Sequence, residues 1–116
     1  MARVVALVDD LIFQAKLLET ARLTGIELRV VASASALSDE AAKRPALIVV
    51  DLNARSEPIR AIGMLCAAGN TAPVIGFCSH VQTGLAQRAL AAGCREVMPR
   101  SEFTRNLAEI LATAND

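Results

Sequence analysis

The chain has 116 residues, 53% hydrophobic but only 3% aromatic, with neither Trp nor Tyr. That length gives one domain with a sizeable core, and the composition favours a core of Val, Leu, Ile and Ala, as in a parallel sheet covered by small-residue helices. Twelve basic residues balance twelve acidic ones, which removes the overall charge bias of a nucleic-acid binder.

The first apolar run, Val4-Val5-Ala6-Leu7-Val8, is stopped by Asp9-Asp10. It is too short for a signal-peptide core or a membrane span, and no later run reaches membrane length. Cys66, Cys78 and Cys94 lack CxxC spacing. They read as small core residues in a reducing cytosol, so a cytoplasmic protein is expected.

In chain order, five strand-like segments alternate with five helix-like ones. Strands are expected over residues 4–8, 28–32, 47–50, 74–77 and 96–98. The first helix, over residues 11–23, carries Leu11, Ala15, Leu18 and Arg22 on one line, with Ile12 and Leu17 broadening the apolar face and Gly25 as its stop. A second helix covers residues 36–44 and ends at Pro45. The third, over residues 59–68, is closed by Gly69-Asn70, and the fourth, over 83–92, stops at Gly93. The last begins at Ser101 as N-cap and runs through Phe103, Leu107, Ile110 and Leu111. Strict alternation with short links implies parallel strands and right-handed crossovers in a single α/β layer sandwich.

An acid placed directly after a buried apolar run lies at the carboxyl end of its strand, the edge where open parallel sheets bind ligands. Asp9-Asp10 follow the first run, and Asp51 follows Ala46-Leu47-Ile48-Val49-Val50. With both strands central, three carboxylates converge on one crevice. Two like charges ~4 Å apart repel by roughly 4 kcal/mol near a protein surface. Such a cluster calls for a cation or a raised pKa, and oxygen-only ligands suit a hard metal such as Mg²⁺. The acidic pair also has the chemistry of a helix cap. Ser79 after Phe77-Cys78 and Arg100 after the fifth strand complete the set of strand-end residues. Glycine-rich phosphate loops and a G-x-S-x-G elbow are missing. His80 is the only histidine, which excludes multi-histidine metal sites.

These landmarks, in order, are Val8-Asp9-Asp10, Pro45 through Asp51, Pro73-Val74-Ile75 leading to Ser79, and Ala91-Ala92-Gly93-Cys94. Each is weak alone, but their order and strand-end placement are specific, and over its full length the chain resembles the receiver domain of bacterial two-component response regulators. The resemblance implies a doubly wound, flavodoxin-like α/β fold with a five-stranded parallel sheet in order 2-1-3-4-5. It implies that Asp51 is the phosphoacceptor and that Mg²⁺ is held by Asp9, Asp10, Asp51 and the backbone carbonyl of Asn53. Ser79 then fits the hydroxyl that bonds the phosphoryl group, and Arg100 falls where the family has a lysine. The expected partners are a histidine kinase or phosphotransfer protein and a downstream protein on the face built from helix four, strand five and helix five, where Leu85, Arg88, Glu96, Arg105 and Glu109 are candidates. A homodimer is compatible with this reading, as is either a stand-alone regulator or an excised domain. Nucleic-acid and membrane binding are not expected.

Several positions depart from the family pattern. Arginine for lysine replaces a compact point charge with a planar fork. Pro99 precedes Arg100, where the family has a proline after its lysine. Val97 stands where a switch aromatic is usual, Leu52 to Pro58 replaces the Met-Pro-Gly stretch, and His80 replaces a small residue. Two readings of Arg100 stand side by side: a solvated residue near Glu102, or a counter-ion that ties Asp51 down. Ser79 equally suits the N-cap of helix four. His80 reads as a partly exposed loop residue. The chain is thus expected to be no conventional enzyme but a receiver that catalyses its own phosphorylation, with a phosphorylation-independent pseudo-receiver as the alternative. A metal-dependent aspartyl phosphatase is a third, weaker reading, because Asn53 stands where that chemistry needs a second acid.

Overall fold

The computed structural model describes residues 3–79 and 82–115. His80 therefore lies outside the described residues. The elements run β1 (Val4–Leu7), α1 (Leu11–Thr24), β2 (Leu28–Val31), α2 (Ala34–Ala41), β3 (Leu47–Asp51), α3 (Pro58–Ala67), β4 (Val74–Cys78), α4 (Thr83–Ala92), β5 (Glu96–Pro99), α5 (Arg100–Arg105) and α6 (Leu107–Ala112), then a short 3-10 turn, Thr113–Asn115. The sheet is parallel with order β2-β1-β3-β4-β5, as expected.

β1 and β3 occupy the middle, and every residue of both is buried. That is why their sequences are unbroken apolar runs. Successive side chains alternate between two cores. Val4, Ala6 and Val8 join Leu47, Val49 and Phe77 beneath α1, α5 and α6. Val5 and Leu7 join Ile48 and Val50 beneath α2, α3 and α4. The register sets Leu7 opposite Val50, and Asp51 opposite Phe77. The carboxyl ends of the central strands therefore open on one edge.

The helix α1 presents a different face from the one its pattern suggests. Phe13, Leu17 and Ala21 are buried, whereas Leu11, Ile12 and Leu18 are 78%, 85% and 46% exposed. The segment carries apolar residues on nearly every side, so spacing alone did not fix its phase. Asp10 fixes the start, accepting from the backbone N–H of Ile12 and Phe13 at 2.9 and 3.2 Å, and the one aromatic ring turns inward.

Other boundaries also move. Ser33 caps α2 through Ala36 N, so that helix starts at Ala34, and it ends at Ala41, short of Pro45. Ser101 is not a cap: extended Pro99 holds that position and α5 begins at Arg100, directly off the strand. Asn106, at φ −104° and ψ 14°, then divides the last helix in two, while its N–H still donates to the Glu102 carbonyl and its own carbonyl accepts from the Ile110 N–H. Gly25, at φ 72°, closes α1 in the left-handed conformation that glycine adopts freely. Gly76 answers a different need: a Cβ there would lie 3.1 Å from Leu52 Cδ1 and 3.3 Å from Cys94 Sγ.

Cys78 and Cys94 pack inside, but Cys66 is exposed, contrary to the expectation that all three belong to the core. Burial pushes the Cys94 thiol up to about 11, so it stays protonated as a small apolar group. Among the described residues, no helix is long and apolar enough to cross a membrane.

The face of α1 can be checked by substitution. Leu17→Ala, at a fully buried site, should cost about 2–5 kcal/mol. Ile12→Ala, at an exposed one, should stay within about 0.5 kcal/mol of wild type. Urea denaturation of both variants decides between the two faces.

Candidate functional site

The site lies at the carboxyl edge of the sheet, built from the ends of β1, β3 and β4 and the first residue of α5. Asp51 is the last residue of β3 and is only 2% exposed. Its Oδ1 accepts from the backbone N–H of Asn53 at 2.9 Å, and its Oδ2 accepts from Arg100 Nη2 at 3.2 Å. Burial pushes the Asp51 pKa up; the Asn53 N–H and the Arg100 charge pull it back, while the charge of Asp9 adds to the rise.

The guanidinium divides its fork between two acids. Its Nη1 lies 3.9 Å from Asp10 Oδ2, an ion-pair distance beyond hydrogen-bond range. Its carbon sits 4.9 Å from the centre of the Phe13 ring and 5.3 Å from that of Phe77, where cation–π attraction adds to the charge pairing. Phe77 stacks on Phe103 with ring centres 4.4 Å apart and lies 5.0 Å from Phe13. All three aromatic residues of the chain thus form one platform beneath one cation. Arg100 is not a solvated partner of Glu102; it holds the counter-ion position.

Asp9 is turned differently. Its Oδ2 accepts from the backbone N–H of Arg55 at 2.8 Å, which ties the end of β1 to the loop between β3 and α3. Among the described residues, no three His, Cys, Asp or Glu side chains are gathered as a metal cluster. Asp9, Asp10 and Asp51 share the edge, but Arg100 lies between the last two.

Ser79 follows β4 on the exposed rim, and its backbone N–H donates to Asn53 Oδ1 at 3.1 Å and to Gln82 Oε1 at 3.2 Å. Asn53 Nδ2 in turn donates to Gln82 Oε1 at 2.7 Å. The cap position of α4 belongs to Gln82 rather than to Ser79, and the Gln82 side chain is spent on this bridge instead of on the helix. Val97 is half-buried and lines a small cavity of about 80 Å³ with Cys78, Ser79, Gln82, Thr83 and Met98.

Sequence reasoning missed Phe13, Phe77 and Gln82. The phenylalanines carried a usable signal: a chain with three aromatic residues places two of them three residues after Asp10 and directly before Cys78-Ser79. Gln82 carried none, because glutamine at a helix start marks no particular contact.

No protein-family profile and no curated protein matches the sequence. Solved structures do match. The receiver domain of NtrX from Brucella abortus is 16% identical over 96% of each chain, with a TM-score of 0.80. The signal receiver domain of NarL from Mycobacterium tuberculosis is 16% identical over 98% of this chain and 96% of that one, at 0.81. The structure described as FixJ-N is 19% identical over 96% and 90%, at 0.82. The fold is that of a response-regulator receiver domain. Against a longer NtrX structure from the same organism, the chain spans 27% of the length. At these identities the likeness concerns the fold, and the chemistry rests on the residues above.

The dominance of burial at Asp51 has a measurable consequence. A carboxyl whose pKa is raised by folding contributes no penalty below its unfolded pKa, and costs stability as pH rises through its folded pKa. In metal-free buffer, Asp51→Asn should therefore be more stable than wild type at neutral pH. The gap should close as the pH falls toward about 4, the ordinary range of aspartate. Urea midpoints across that range give the test; an Asn variant that is less stable at neutral pH would mean that the Arg100 pairing outweighs burial.

Proposed function

We propose that this chain is a receiver-type signalling module that accepts a phosphoryl group on Asp51. The observation that carries the reading is the placement of Asp51 at the carboxyl end of a central strand, 2% exposed, with a backbone N–H on one oxygen and a guanidinium on the other. A nucleophilic carboxylate must be ionised, and these two donors oppose the burial that would protonate it. Ser79 on the adjoining rim offers a hydroxyl for a bound phosphoryl group.

In the transfer, one oxygen of Asp51 attacks the phosphorus of a phosphohistidine on a kinase or phosphotransfer protein. The P–N bond breaks, its electron pair stays on the imidazole, which takes up a proton, and an acyl phosphate forms on Asp51. For an oxygen of Asp51 to attack, Arg100 must release Oδ2; the same guanidinium then pairs with the incoming phosphoryl oxygens.

The donor chemistry suits Mg²⁺: Asp9, Asp10 and Asp51 are hard carboxylate ligands, and the Asn53 carbonyl would be a fourth oxygen. Asp10 Oδ2 and Asp51 Oδ2 already face one shared cation, the Arg100 guanidinium. Bound there, the metal would neutralise phosphoryl charge. The downstream face is α4, β5 and the divided last helix, α5 and α6, where Arg88, Glu96, Arg105 and Glu109 (the last on α6) are exposed and Leu85 is half-buried, a mixed surface suited to a protein partner.

A second reading is favoured by Arg100 bridging Asp51 and Asp10 and by Val97 at the switch position: a pseudo-receiver that binds partners without phosphorylation. One experiment separates the two. Incubation with acetyl phosphate and Mg²⁺, followed by intact-mass measurement, should add one phosphoryl group to wild type and none to Asp51→Asn. Arg100→Lys should gain it faster, since a smaller point charge leaves Oδ2 more readily. No adduct in either wild type or Arg100→Lys selects the pseudo-receiver.

A further inference from the structure

A cation site needs two things: acidic oxygens that converge, and room between them. The oxygens are there. Asp51 Oδ2 and Asp10 Oδ2 come from different strand ends, yet both lie within 4 Å of one guanidinium, at 3.2 and 3.9 Å. The room is taken by the side chain that proves the convergence.

We propose that Arg100 is a built-in competitor of divalent metal, its guanidinium lodged between Asp10 and Asp51 so that Mg²⁺ enters only when the arginine withdraws. The inference rests on the reading of Asp9, Asp10 and Asp51 as one pocket, made under the proposed function, but not on phosphorylation.

Three observations make the occupied state more than a chance rotamer. The guanidinium has its own support in Phe13 and Phe77, at 4.9 and 5.3 Å. Those rings are themselves pinned: Phe77 is fully buried and stacked on Phe103, which is also fully buried. The arginine is the first residue of α5, launched directly from β5 with no intervening loop. A residue leaving a strand into a helix has little backbone freedom, so its side chain is aimed from a fixed base. The remaining nearby charges do not offset the competition. Asp9 is turned to Arg55 N at 2.8 Å, and Asp10 Oδ1 is engaged in capping α1. A metal displacing Arg100 thus gains Asp51 Oδ2 and Asp10 Oδ2 at once, but must break an ion pair, a charge-assisted hydrogen bond and two ring contacts.

The magnitude follows from populations. A ligand that binds only the open form has its apparent Kd raised by the inverse of the open fraction, so a clamp closed nine-tenths of the time weakens binding about tenfold. The side chain that removes the charge and keeps the packing is methionine, unbranched and well suited to lie against aromatic rings.

Isothermal titration of Mg²⁺ without any phosphodonor tests this on wild type, Arg100→Met and the double variant Arg100→Met/Asp10→Asn. Arg100→Met should bind Mg²⁺ at least about tenfold more tightly than wild type, and the double variant should lose that gain. In wild type at saturating Mg²⁺, NMR signals of the Arg100 guanidinium should move, because the group has left the acids. Equal affinity in wild type and Arg100→Met overturns the proposal, as does a guanidinium signal unmoved at saturation. Failure of both proteins to bind Mg²⁺ overturns it too. The wild-type NMR arm remains decisive where Arg100→Met does not fold. Since no phosphodonor is present, a receiver that phosphorylates normally can still fail this test, and one that never phosphorylates can still pass it.

Discussion

An ionised carboxylate taken out of water loses several kcal/mol of hydration in a real protein interior, and Asp51, 2% exposed at the end of a central strand, has one backbone N–H and one guanidinium to replace it. The surrounding structure is arranged around that demand. The loop after β3 turns so that Asn53 N reaches Oδ1. The junction of β5 and α5 is drawn tight so that Arg100 starts a helix at the sheet edge. The rings of Phe13 and Phe77 pack against the guanidinium, and Phe103 stacks behind Phe77. Removing the arginine alone would leave the acid buried with a single donor, a costlier state than replacing both partners together.

The sheet explains why an acid stands in such a place. β1 and β3 must be apolar along their whole length because helices cover both faces, so the first position free to carry charge is the strand end. Register then does the positioning. Leu7 pairs with Val50 and Asp51 with Phe77, which sets Asp9 and Asp10 one and two residues beyond buried Val8, at the same sheet edge as Asp51. Asp10 spends one oxygen on capping α1 and turns the other toward Arg100. Asp10 thus both starts a helix and pairs with the pocket's cation, so a capping role and a place in the pocket do not exclude each other.

The parts of this arrangement legible in the sequence are those with a local cause. Unbroken runs such as Leu47-Ile48-Val49-Val50 announce central parallel strands, strand order follows from alternation together with the resemblance, and acids at run ends mark the edge. The illegible parts depend on long-range choices. α1 has apolar residues all round, so only packing against Phe77 and Phe103 decides that Phe13 and Leu17 go inward while Leu11 and Ile12 stay in water. Ser101 has the chemistry of a cap, but Pro99 holds the extended position before the helix. Gln82 gave no hint that its amide would join Asn53 and Ser79 across two loops, since the partners lie 29 and 3 residues away. The fork of Arg100 was visible as a substitution for lysine, but its splitting between two acids is a matter of distance that spacing cannot express.

That splitting also bears on how a change in the pocket reaches the surface. A hydroxyl-and-ring relay needs a large side chain on the last strand, and Val97, half-buried beside a cavity of about 80 Å³, has a single stiff torsion and little reach. Arg100 supplies a shorter connection. It is the pocket's cation and the first residue of α5 at once, and two turns of packing join it to Phe103 and onward to Leu107 in the same core. A ligand shifts an equilibrium only by its differential affinity for the two states. A ligand that favoured the guanidinium in one position over the other would therefore act on the start of α5 without an intermediate lever. Such a connection would run through Pro99 and Phe103, which flank that first turn, rather than through Val97.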